Sequence, residues 1–415
     1  MAGLSGMLML LAVIAASVAA AGLMQTLVGT VLAWRFCRTP APAASDAAES
    51  GALPAVTVLK PLFGAEPMLE QALASLCRQD YPAFQIVFGV QDPRDPAIAV
   101  VRRLQARFPA CQISLCVDGR PHGRNRKVAN LMNMFALARH DVLVIADSDV
   151  HAAPDYLRRL VATLGQPGVG LATTLYAGLP ATGGMVGALG ATAITHSFLL
   201  GVLSARALGR QDCLGATMAL RRETLADIGG LRALVQHIAD DHALGELVRA
   251  RGLRVALADT VPGTTVPEDT FDALLRHELR WSRTIRAVAP VGFVLSAIQY
   301  PLAWAAMAVP LSGAEAWSCA LFLGAWATRA LLARATDALL GLAPVGLASA
   351  APIWLLPLRD IMSIGVMLAA YAGNTIEWRG YVLRTGLAQT RPSQTRLSKT
   401  GLSRIESLPL GTEQP

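Results

Sequence analysis

The residues from Met7 to Trp34 include no charged side chain. A helix needs about 20 apolar residues to cross a bilayer, so this run is long enough to span one. A cleaved signal peptide would have a basic start and a shorter apolar core, whereas Arg35 and Arg38 follow the run here. We therefore expect an uncleaved anchor over residues 1–36. The chain after it is expected in the cytoplasm, because arginines beside a span favour that side.

A second apolar region follows the middle of the chain, over residues 287–378. Hydrophobic residues make up 53% of the sequence and charged residues only 16%, below the roughly 25% of soluble proteins. We therefore expect a multi-pass protein of the inner (cytoplasmic) membrane. One more apolar stretch, 183–203, lies inside the middle region, where a partly buried or membrane-surface helix is expected. The candidate C-terminal spans are 288–311, 316–334 and 350–373.

The tail, residues 379–415, contains six basic residues with no acid between them. Three spans would place this tail outside the cell, whereas its charge places it in the cytoplasm. A re-entrant or interfacial helix would remove the conflict, and Pro290, Pro301 and Pro310 make 288–311 the candidate for one. The tail is either a solvated segment or a contact for anionic lipid. Nucleic acid is not expected as a partner, because the basic residues adjoin membrane segments.

Between the apolar ends, short strand patterns alternate with helical ones. The strand patterns cover 55–59, 85–90, 113–117 and 142–146, and the helical ones 66–78, 94–108, 125–139 and 153–164. This alternation predicts an α/β domain over residues 55–286 with a largely parallel sheet, preceded by a Pro/Ala-rich linker, 37–54. Ligands of such sheets bind beyond the carboxyl ends of the strands. Side chains that follow the strands are therefore the first candidates for a site.

Three aspartates follow these strand patterns directly, namely Asp92, Asp147 and Asp149. Alternate residues of an extended chain point in opposite directions, so Asp147 and Asp149 could divide a metal ion and another part of a ligand between them. Mg²⁺ or Mn²⁺ held by few carboxylates takes its remaining ligands from water and phosphate. Turn or cap aspartates explain the pair equally well. Asp92 is placed either to accept a hydrogen bond from a base or sugar, or to cap a turn.

Two further charged groups stand at the starts of predicted helices. Arg124, Arg126 and Lys127 would favour an anion such as diphosphate there, and a solvated basic turn is the alternative. Asp240 and Asp241 are either favourable acids of a first helical turn or a general base that accepts the proton of an attacking hydroxyl.

An arginine stripe with one tryptophan precedes the C-terminal apolar region. Its spacing of three and four residues places the arginines on one helical face. The stripe is either part of an interfacial helix with snorkelling arginines, or a clamp for a departing phosphate. The residues are Arg276, Arg280, Trp281, Arg283 and Arg286.

In this chain order, the motifs resemble those of membrane-bound glycosyltransferases of families 2 and 21. The likeness is strongest to ceramide glucosyltransferases and their bacterial hopanoid-biosynthesis-associated relatives, and it covers about residues 56–286 with the flanking membrane segments. It rests on the blocks "VLKPLFGAEP", "DYPAFQIVFGVQDPRDPAIAV", "NRKVANLM", "ADSDV", "CLGATMALRRETL", "GGL" and "HIADDHALGELVRARG", followed by Arg280-Trp281.

The resemblance implies a GT-A catalytic fold, a UDP-sugar donor and a divalent cation, Mg²⁺ or Mn²⁺. It implies one inverting displacement that moves a hexose or N-acetylhexosamine onto a hydroxyl of a lipid in the bilayer, with UDP leaving. The implied site residues are Asp92 for the uridine; Lys127, Arg124 and His277 for the nucleotide sugar; Asp147 for nucleotide and metal; Asp149 as the direct metal ligand; Asp241 as base beside Asp240; and Arg280 with Trp281 closing the site.

Two positions depart from the family pattern. His277 stands where the motif before Arg-Trp has Gln or Arg, and Asp149 stands where animal ceramide glucosyltransferases have Gly. A membrane polysaccharide synthase of the family 2 type is the alternative function. That class usually has a longer membrane region than the one anchor and two or three later spans expected here, which favours a lipid acceptor. The sequence leaves the sugar and the acceptor, ceramide-type or hopanoid, open.

Overall fold

The computed structural model describes residues 2–38, 53–341, 352–378 and 381–384. Most of the predicted linker (39–52) and of the predicted basic tail (385–415) lies outside these residues. The strands are β1 (Val56–Pro61), β2 (Phe84–Val90), β3 (Gln112–Val117), β4 (Val142–Ala146), β5 (Val150–His151), β6 (Val169–Thr174), β7 (Ala177–Pro180), β8 (Thr217–Arg221), β9 (Arg254–Ala258), β10 (Gly263–Val266), β11 (Thr375–Trp378) and β12 (Tyr381–Arg384). The helices are α1 (Ala2–Arg38), α2 (Leu69–Cys77), α3 (Ala97–Arg107), α4 (Arg126–Met134), α5 (Tyr156–Leu164), α6 (Met185–Ala193), α7 (Leu199–Ala207), α8 (Arg222–Asp227), α9 (Asp240–Ala250), α10 (Phe271–Val288), α11 (Pro290–Leu295), α12 (Pro301–Leu311), α13 (Ala316–Leu340) and α14 (Leu356–Ala369).

The main sheet has seven strands in the order β3-β2-β1-β4-β8-β6-β9. Strands β1 to β4 are parallel, and β8 runs antiparallel between β4 and β6. The predicted α/β class is therefore confirmed, and the four predicted strands form at their predicted positions. Because β2, β1 and β4 are parallel neighbours, the residues that follow them share one edge of the sheet.

Both faces of this sheet are buried, because successive strand residues point to opposite sides. Val58 and Val144 pack in one apolar cluster with residues of α2, α3 and α5. Leu59 and Ile145, their neighbours in sequence, pack in a second cluster with residues of α4, α8 and α9. A strand slipped by one residue would exchange the two sets, so packing on both faces fixes the strand ends that carry the candidate site.

A smaller sheet, β5-β10-β7, closes this edge. Strand β5 follows Asp149 directly and pairs antiparallel with β10, with Thr264 opposite Val150. The backbone N–H of Thr265 also donates to the carbonyl of Asp149 at 3.1 Å. Strand β10 is thereby held beside the Asp-x-Asp motif, and α10 begins shortly after it.

Four described helices are long and apolar enough to cross a membrane: Gly3–Arg38, Met185–Ala207, Ala316–Leu340 and Ile353–Ala372. The pair Pro290–Gln299 and Pro301–Leu311 passes the same test but is bent by 70°. This bend falls in the stretch for which a re-entrant or interfacial helix was the expected alternative. A proline at the break has no N–H to continue the first helix.

The helix Met185–Ala207 lies inside the middle of the chain and is partly buried, as expected. It includes a π-helical turn, Ile194–Phe198, between α6 and α7. Its α7 segment packs against α1, where Gly29 lies so close to Leu200 that a Cβ atom would come within 2.8 Å of the leucine Cβ. The N-terminal helix is therefore packed directly onto the region that contains the sheets.

A buried ion pair joins α14, part of the candidate span Ile353–Ala372, to α10. Arg359 of α14 is 1% exposed and donates two hydrogen bonds to the Glu278 carboxylate, at 2.6 and 2.7 Å. Its Nη1 also lies 3.5 Å from the carbonyl oxygen of Leu189 in α6. Ser363 accepts from its Nε. The guanidinium thus connects three helices, one of which carries Arg280 and Trp281.

We expect Arg359→Met to lower the free energy of unfolding by about 3–5 kcal/mol, because it leaves the Glu278 carboxylate buried without its cation. Thermal unfolding in detergent measures the effect. Arg334→Met, at an exposed position of α13, is the matched control. The double variant Arg359→Met/Glu278→Met should recover part of the loss, and a double variant no more stable than Arg359→Met would contradict the ion-pair explanation.

Candidate active site

The Asp-x-Asp motif lies at the carboxyl end of β4, and its two carboxylates have different partners. Asp147 Oδ1 lies 2.6 Å from Lys127 Nζ. Asp149 Oδ2 accepts a hydrogen bond from Thr264 Oγ1 at 2.5 Å. Burial, reinforced by the charge of Asp147, raises the pKa of Asp149. The backbone between them is a turn, in which the N–H of Val150 donates to the carbonyl of Asp147 at 3.3 Å, so the extended chain expected for this pair is wrong. The two carboxylates nevertheless have separate partners.

Lys127 bridges the two pairs of aspartates. Its Nζ is also 3.6 Å from Asp240 Oδ2, and its side chain is only 12% exposed. Burial alone lowers the pKa of Lys127, but Asp147 and Asp240 outweigh it and hold that pKa above its ordinary value. The structure therefore brings together three predicted site residues from β4, α4 and α9. Contact of Lys127 with a nucleotide diphosphate stays a prediction.

Asn125 holds this bridge in place, and sequence analysis did not identify it. It is fully buried, and its Oδ1 caps α4 by accepting from the N–H of Val128 at 3.0 Å. Its Nδ2 donates to Asp240 Oδ1 at 3.1 Å and to the carbonyl of His237 at 2.8 Å. An asparagine before a helical pattern signals an N-cap. The second function, fixing the start of α9, has no local signal.

Asp241 is the neighbour of this network and has the properties of a general base. It is partly buried, and burial together with the charge of Asp240 raises the pKa of Asp241 to about 6. A Cβ atom added to Gly215 would lie 2.9 Å from Asp241 Oδ2. Glycine at position 215 therefore lets the carboxylate approach the backbone ahead of β8. A carboxylate with this pKa is ionised at neutral pH and can still take up a proton.

Lys60 is a second buried cation that sequence analysis missed. It lies on β1, is fully buried, and its Nζ donates to the carbonyl of Val150 at 3.1 Å. Burial lowers the pKa of Lys60 to about 8, against the opposing charges of Asp149 and Asp147. The lysine therefore adds positive charge behind the Asp-x-Asp motif.

Asp92 has local partners in the structure. Its Oδ1 accepts from the backbone N–H of Arg94 at 2.8 Å, and its side chain is 58% exposed. This contact corresponds to the turn-capping alternative, and it leaves the carboxylate accessible to solvent. Arg124 is exposed. The Nε of Arg126 donates to Gln91 Oε1 at 3.2 Å, so this arginine packs beside the loop that carries Asp92.

Helix α10 carries the remaining predicted residues. His277 Nδ1 forms a hydrogen bond with Glu268, which follows β10. The ring of His277 also meets the Trp281 ring edge-on, with centroids 4.4 Å apart. His277 therefore fixes both the entry to α10 and the orientation of the tryptophan. Arg280 lies on the same helix, partly buried.

The arginines of the stripe have different contact partners in the structure. Arg276 pairs with Asp272 on the helix surface at 2.6 Å. Arg283 Nη1 donates to the carbonyl of Thr375 at 2.5 Å, and Arg286 Nη2 donates to that of Gly373 at 3.1 Å. The last two arginines therefore bind the segment after α14. A phosphate clamp by Arg280 with Trp281 stays a prediction.

The acidic residues of the site fit a hard divalent cation. In the described part of the chain, no three His, Cys, Asp or Glu side chains converge as a complete ligand set. Mg²⁺ and Mn²⁺ sites of nucleotide enzymes need only one or two carboxylates, because water and phosphate oxygens complete them. Asp147 and Asp149 supply such oxygens at the strand end. The donor set is therefore compatible with a metal that binds together with a diphosphate.

A model of glycosyl transferase family 21 matches residues 13–389 of the 415. The chain belongs to glycosyl transferase family 21. The match includes most of the N-terminal helix, the three sheets and the whole C-terminal apolar region, so the family resemblance read from the motifs is confirmed.

Curated relatives of this family 21 chain include two transferases. Ceramide glucosyltransferase 1 of Caenorhabditis elegans is 25% identical over 247 residues, 60% of this chain and 53% of the relative. An N-acetylglucosaminyltransferase of Rhizobium leguminosarum bv. viciae is 24% identical over 248 residues, 57% of each chain. This chain spans about half the length of these relatives.

Solved structures with a similar fold include a mannosyltransferase of Pyrobaculum calidifontis, in complex with GDP-Man and Mn²⁺. It is 22% identical, with a TM-score of 0.49, and the match covers 86% of this chain and 99% of that one.

Proposed function

We propose that this family 21 member is a membrane-bound inverting glycosyltransferase. It moves a hexose or N-acetylhexosamine from a UDP-sugar onto a hydroxyl of a ceramide-type or hopanoid membrane lipid. The observation that carries the proposal is the ion pairing of Lys127 with both Asp147 and Asp240. It joins a candidate metal and nucleotide site to a candidate base at one edge of the sheet, where α/β proteins bind their ligands.

The donor half of the site is the Asp-x-Asp motif with its flanking residues. Asp149, as direct ligand, and Asp147 would hold Mg²⁺ or Mn²⁺, which when bound supplies positive charge to the diphosphate. The exposed carboxylate of Asp92 would accept a hydrogen bond from the uridine. Lys127 and Arg124 are the cations proposed for the nucleotide sugar, and guanidinium geometry suits phosphate oxygens.

The acceptor half of the site is centred on Asp241. Its carboxylate would accept the proton of the acceptor hydroxyl as that oxygen bonds to the anomeric carbon. The bond from this carbon to the diphosphate oxygen breaks, and UDP leaves with the bonding electrons from the opposite face, which inverts the configuration. Asp240 would raise the basicity of Asp241. Arg280 and Trp281 would cover the diphosphate and acceptor.

The relatives and the apolar helices support a lipid acceptor. The name of the nematode relative favours glucose and ceramide, and that of the bacterial relative favours N-acetylglucosamine as the sugar. The four candidate spans support a multi-pass protein. We place it in the inner (cytoplasmic) membrane, with the catalytic domain over residues 55–286 facing the cytoplasm, because Arg35 and Arg38 follow the first span.

Mass spectrometry of lipids from cells that express the chain, compared with cells that do not, tests the proposal. A hexosyl-ceramide, hexosyl-hopanoid or N-acetylhexosaminyl lipid should be present only with the chain, and its mass identifies the acceptor and distinguishes a hexose from an N-acetylhexosamine. Cells expressing Asp241→Asn provide the control for effects of expression. A sugar polymer without any new glycolipid would overturn the proposal in favour of a polysaccharide synthase.

The turnover rate should fall as the pH decreases through about 6, because the base must be ionised and burial raises the pKa of Asp241 to about that value. Below it, the rate falls about tenfold per pH unit. Initial rates in a buffer series measure the profile. Asp240→Asn removes a charge that raises the pKa of Asp241, so its acid limb should move to lower pH. An acid limb that stays in place in this variant would show that another group titrates.

A further inference from the structure

An open groove of about 650 Å³ lies at the C-terminal end of α10. It is formed by the last residues of α10, by α11 and by the segment that follows α14. Its volume is within the roughly 300–1,000 Å³ of small-molecule sites. None of its lining residues belongs to the carboxylate network, so the groove is a separate feature. The lining includes Arg286, Val291, Val294, Leu295, Tyr371 and Asn374.

The wall formed by α11 is apolar and open. Val291, Val294 and Leu295 are 72%, 56% and 67% exposed. The helix belongs to the bent pair Pro290–Gln299 and Pro301–Leu311, which is apolar enough for a membrane. Exposed aliphatic side chains on such a segment favour hydrocarbon over water as their neighbour.

At the polar end of the groove, the guanidinium of Arg286 already has hydrogen-bond partners within the protein. Arg286 Nη2 donates to the carbonyl of Gly373 and to Asn374 Oδ1. The guanidinium carbon also lies 5.0 Å from the centre of the Tyr371 ring. Because carbonyl and amide oxygens and an aromatic face surround this cation, the groove is better matched to a neutral chain than to a phosphate.

Helix α10 connects the groove to the proposed reaction site. Arg286 follows Arg280 by six residues, which corresponds to about 9 Å along the helix axis. Trp281 lies between these two positions. A molecule whose chain occupies the groove would therefore have its polar end about 9 Å from the level of Arg280, measured along the axis of α10.

We propose that this groove binds the hydrocarbon chain of the acceptor lipid and thereby presents its hydroxyl to Asp241. The inference rests on the proposed function, and it assigns the acceptor's chain to the face formed by α10 and α11. Chain length then becomes a determinant of the KM for the acceptor. In this orientation the hydrocarbon chain of the lipid lies near Val294, and its headgroup lies near Arg286.

The inference is tested by variants in which a tryptophan side chain, which is compatible with a membrane environment, fills the groove. Val291→Trp and Val294→Trp should each raise the KM for C18-ceramide by roughly tenfold or more, because one excess group in an apolar pocket has effects of this size. The KM for UDP-glucose should stay unchanged, because none of the residues proposed for the nucleotide sugar lines the groove. Leu331→Trp, at a 72% exposed position of α13, is the matched control.

A second measurement needs neither turnover nor a variant. A ceramide with a diazirine in its acyl chain, irradiated with the full-length protein in nanodiscs, should label residues 287–295, and excess C18-ceramide should remove the label. Labelling spread over α13, or unchanged ceramide kinetics in both tryptophan variants, would show that bulk lipid covers the groove and would overturn the inference. Competed labelling of 287–295 without sugar transfer would instead keep the groove and overturn the proposed function.

Discussion

Replacing Asp241 with asparagine is expected to lower the rate of sugar transfer by about 10²–10⁴-fold while the UDP-sugar still binds. The amide preserves the size of the side chain but cannot accept the proton of the attacking hydroxyl. The position is sensitive because the Asp241 carboxylate lies against Gly215 and next to the charge of Asp240, which helps to raise its pKa to about 6. Turnover at saturating UDP-glucose and ceramide, with donor affinity from calorimetry, separates the two effects.

Glu246→Gln is the matched control for this variant, because it makes the same chemical change at a 63% exposed position of the same helix. It should leave both turnover and donor affinity unchanged. Normal turnover in Asp241→Asn would show that another group takes the proton. Loss of donor affinity equal to the loss of turnover would show that Asp241 acts in donor binding instead.

The strands and their ends could be predicted because the signals are local. The run 142–146 is apolar throughout because both faces of β4 are covered, and the aspartates after it stand where the backbone leaves the sheet. The same reasoning placed Asp240 and Asp241 in the first turn of a helix, and α9 begins at Asp240. A motif that follows directly from one strand or one helix start is therefore accessible to sequence analysis.

The partners of these residues could not be predicted, because they depend on distant parts of the chain. Asn125 and Asp240 are hydrogen-bonded across 115 sequence positions. Lys60 lies one residue beyond the predicted strand 55–59, and only the folded sheet shows that its ammonium is buried behind Asp149. Likewise, helical spacing places Arg283 and Arg286 on the same stripe as Arg280, but the segment after α14 engages both. The spacing of the arginines shows which face of the helix they share, whereas tertiary packing determines which segments that face contacts.

Lys127→Met is expected to destabilise the protein by about 3–5 kcal/mol and to weaken donor binding, because it removes the cation that two aspartates share. The loss should come mainly from Asp240, whose side chain is 10% exposed, since water can screen the 36% exposed side chain of Asp147. The charge of Lys127 also lowers the pKa of Asp241, so any remaining activity should have its acid limb at a higher pH. Thermal unfolding and the pH profile measure these effects.

Two further variants separate charge from packing at this position. Lys127→Arg keeps the positive charge, so it should lose less stability than Lys127→Met. Lys127→Met/Asp240→Asn removes one negative charge together with the cation, so it should be more stable than Lys127→Met alone, while Asn125 can still donate to the new amide oxygen. If this double variant were no more stable, the contribution of Lys127 would be the packing of its aliphatic stem. The bridge between the Asp-x-Asp motif and the proposed base would then lose its electrostatic basis.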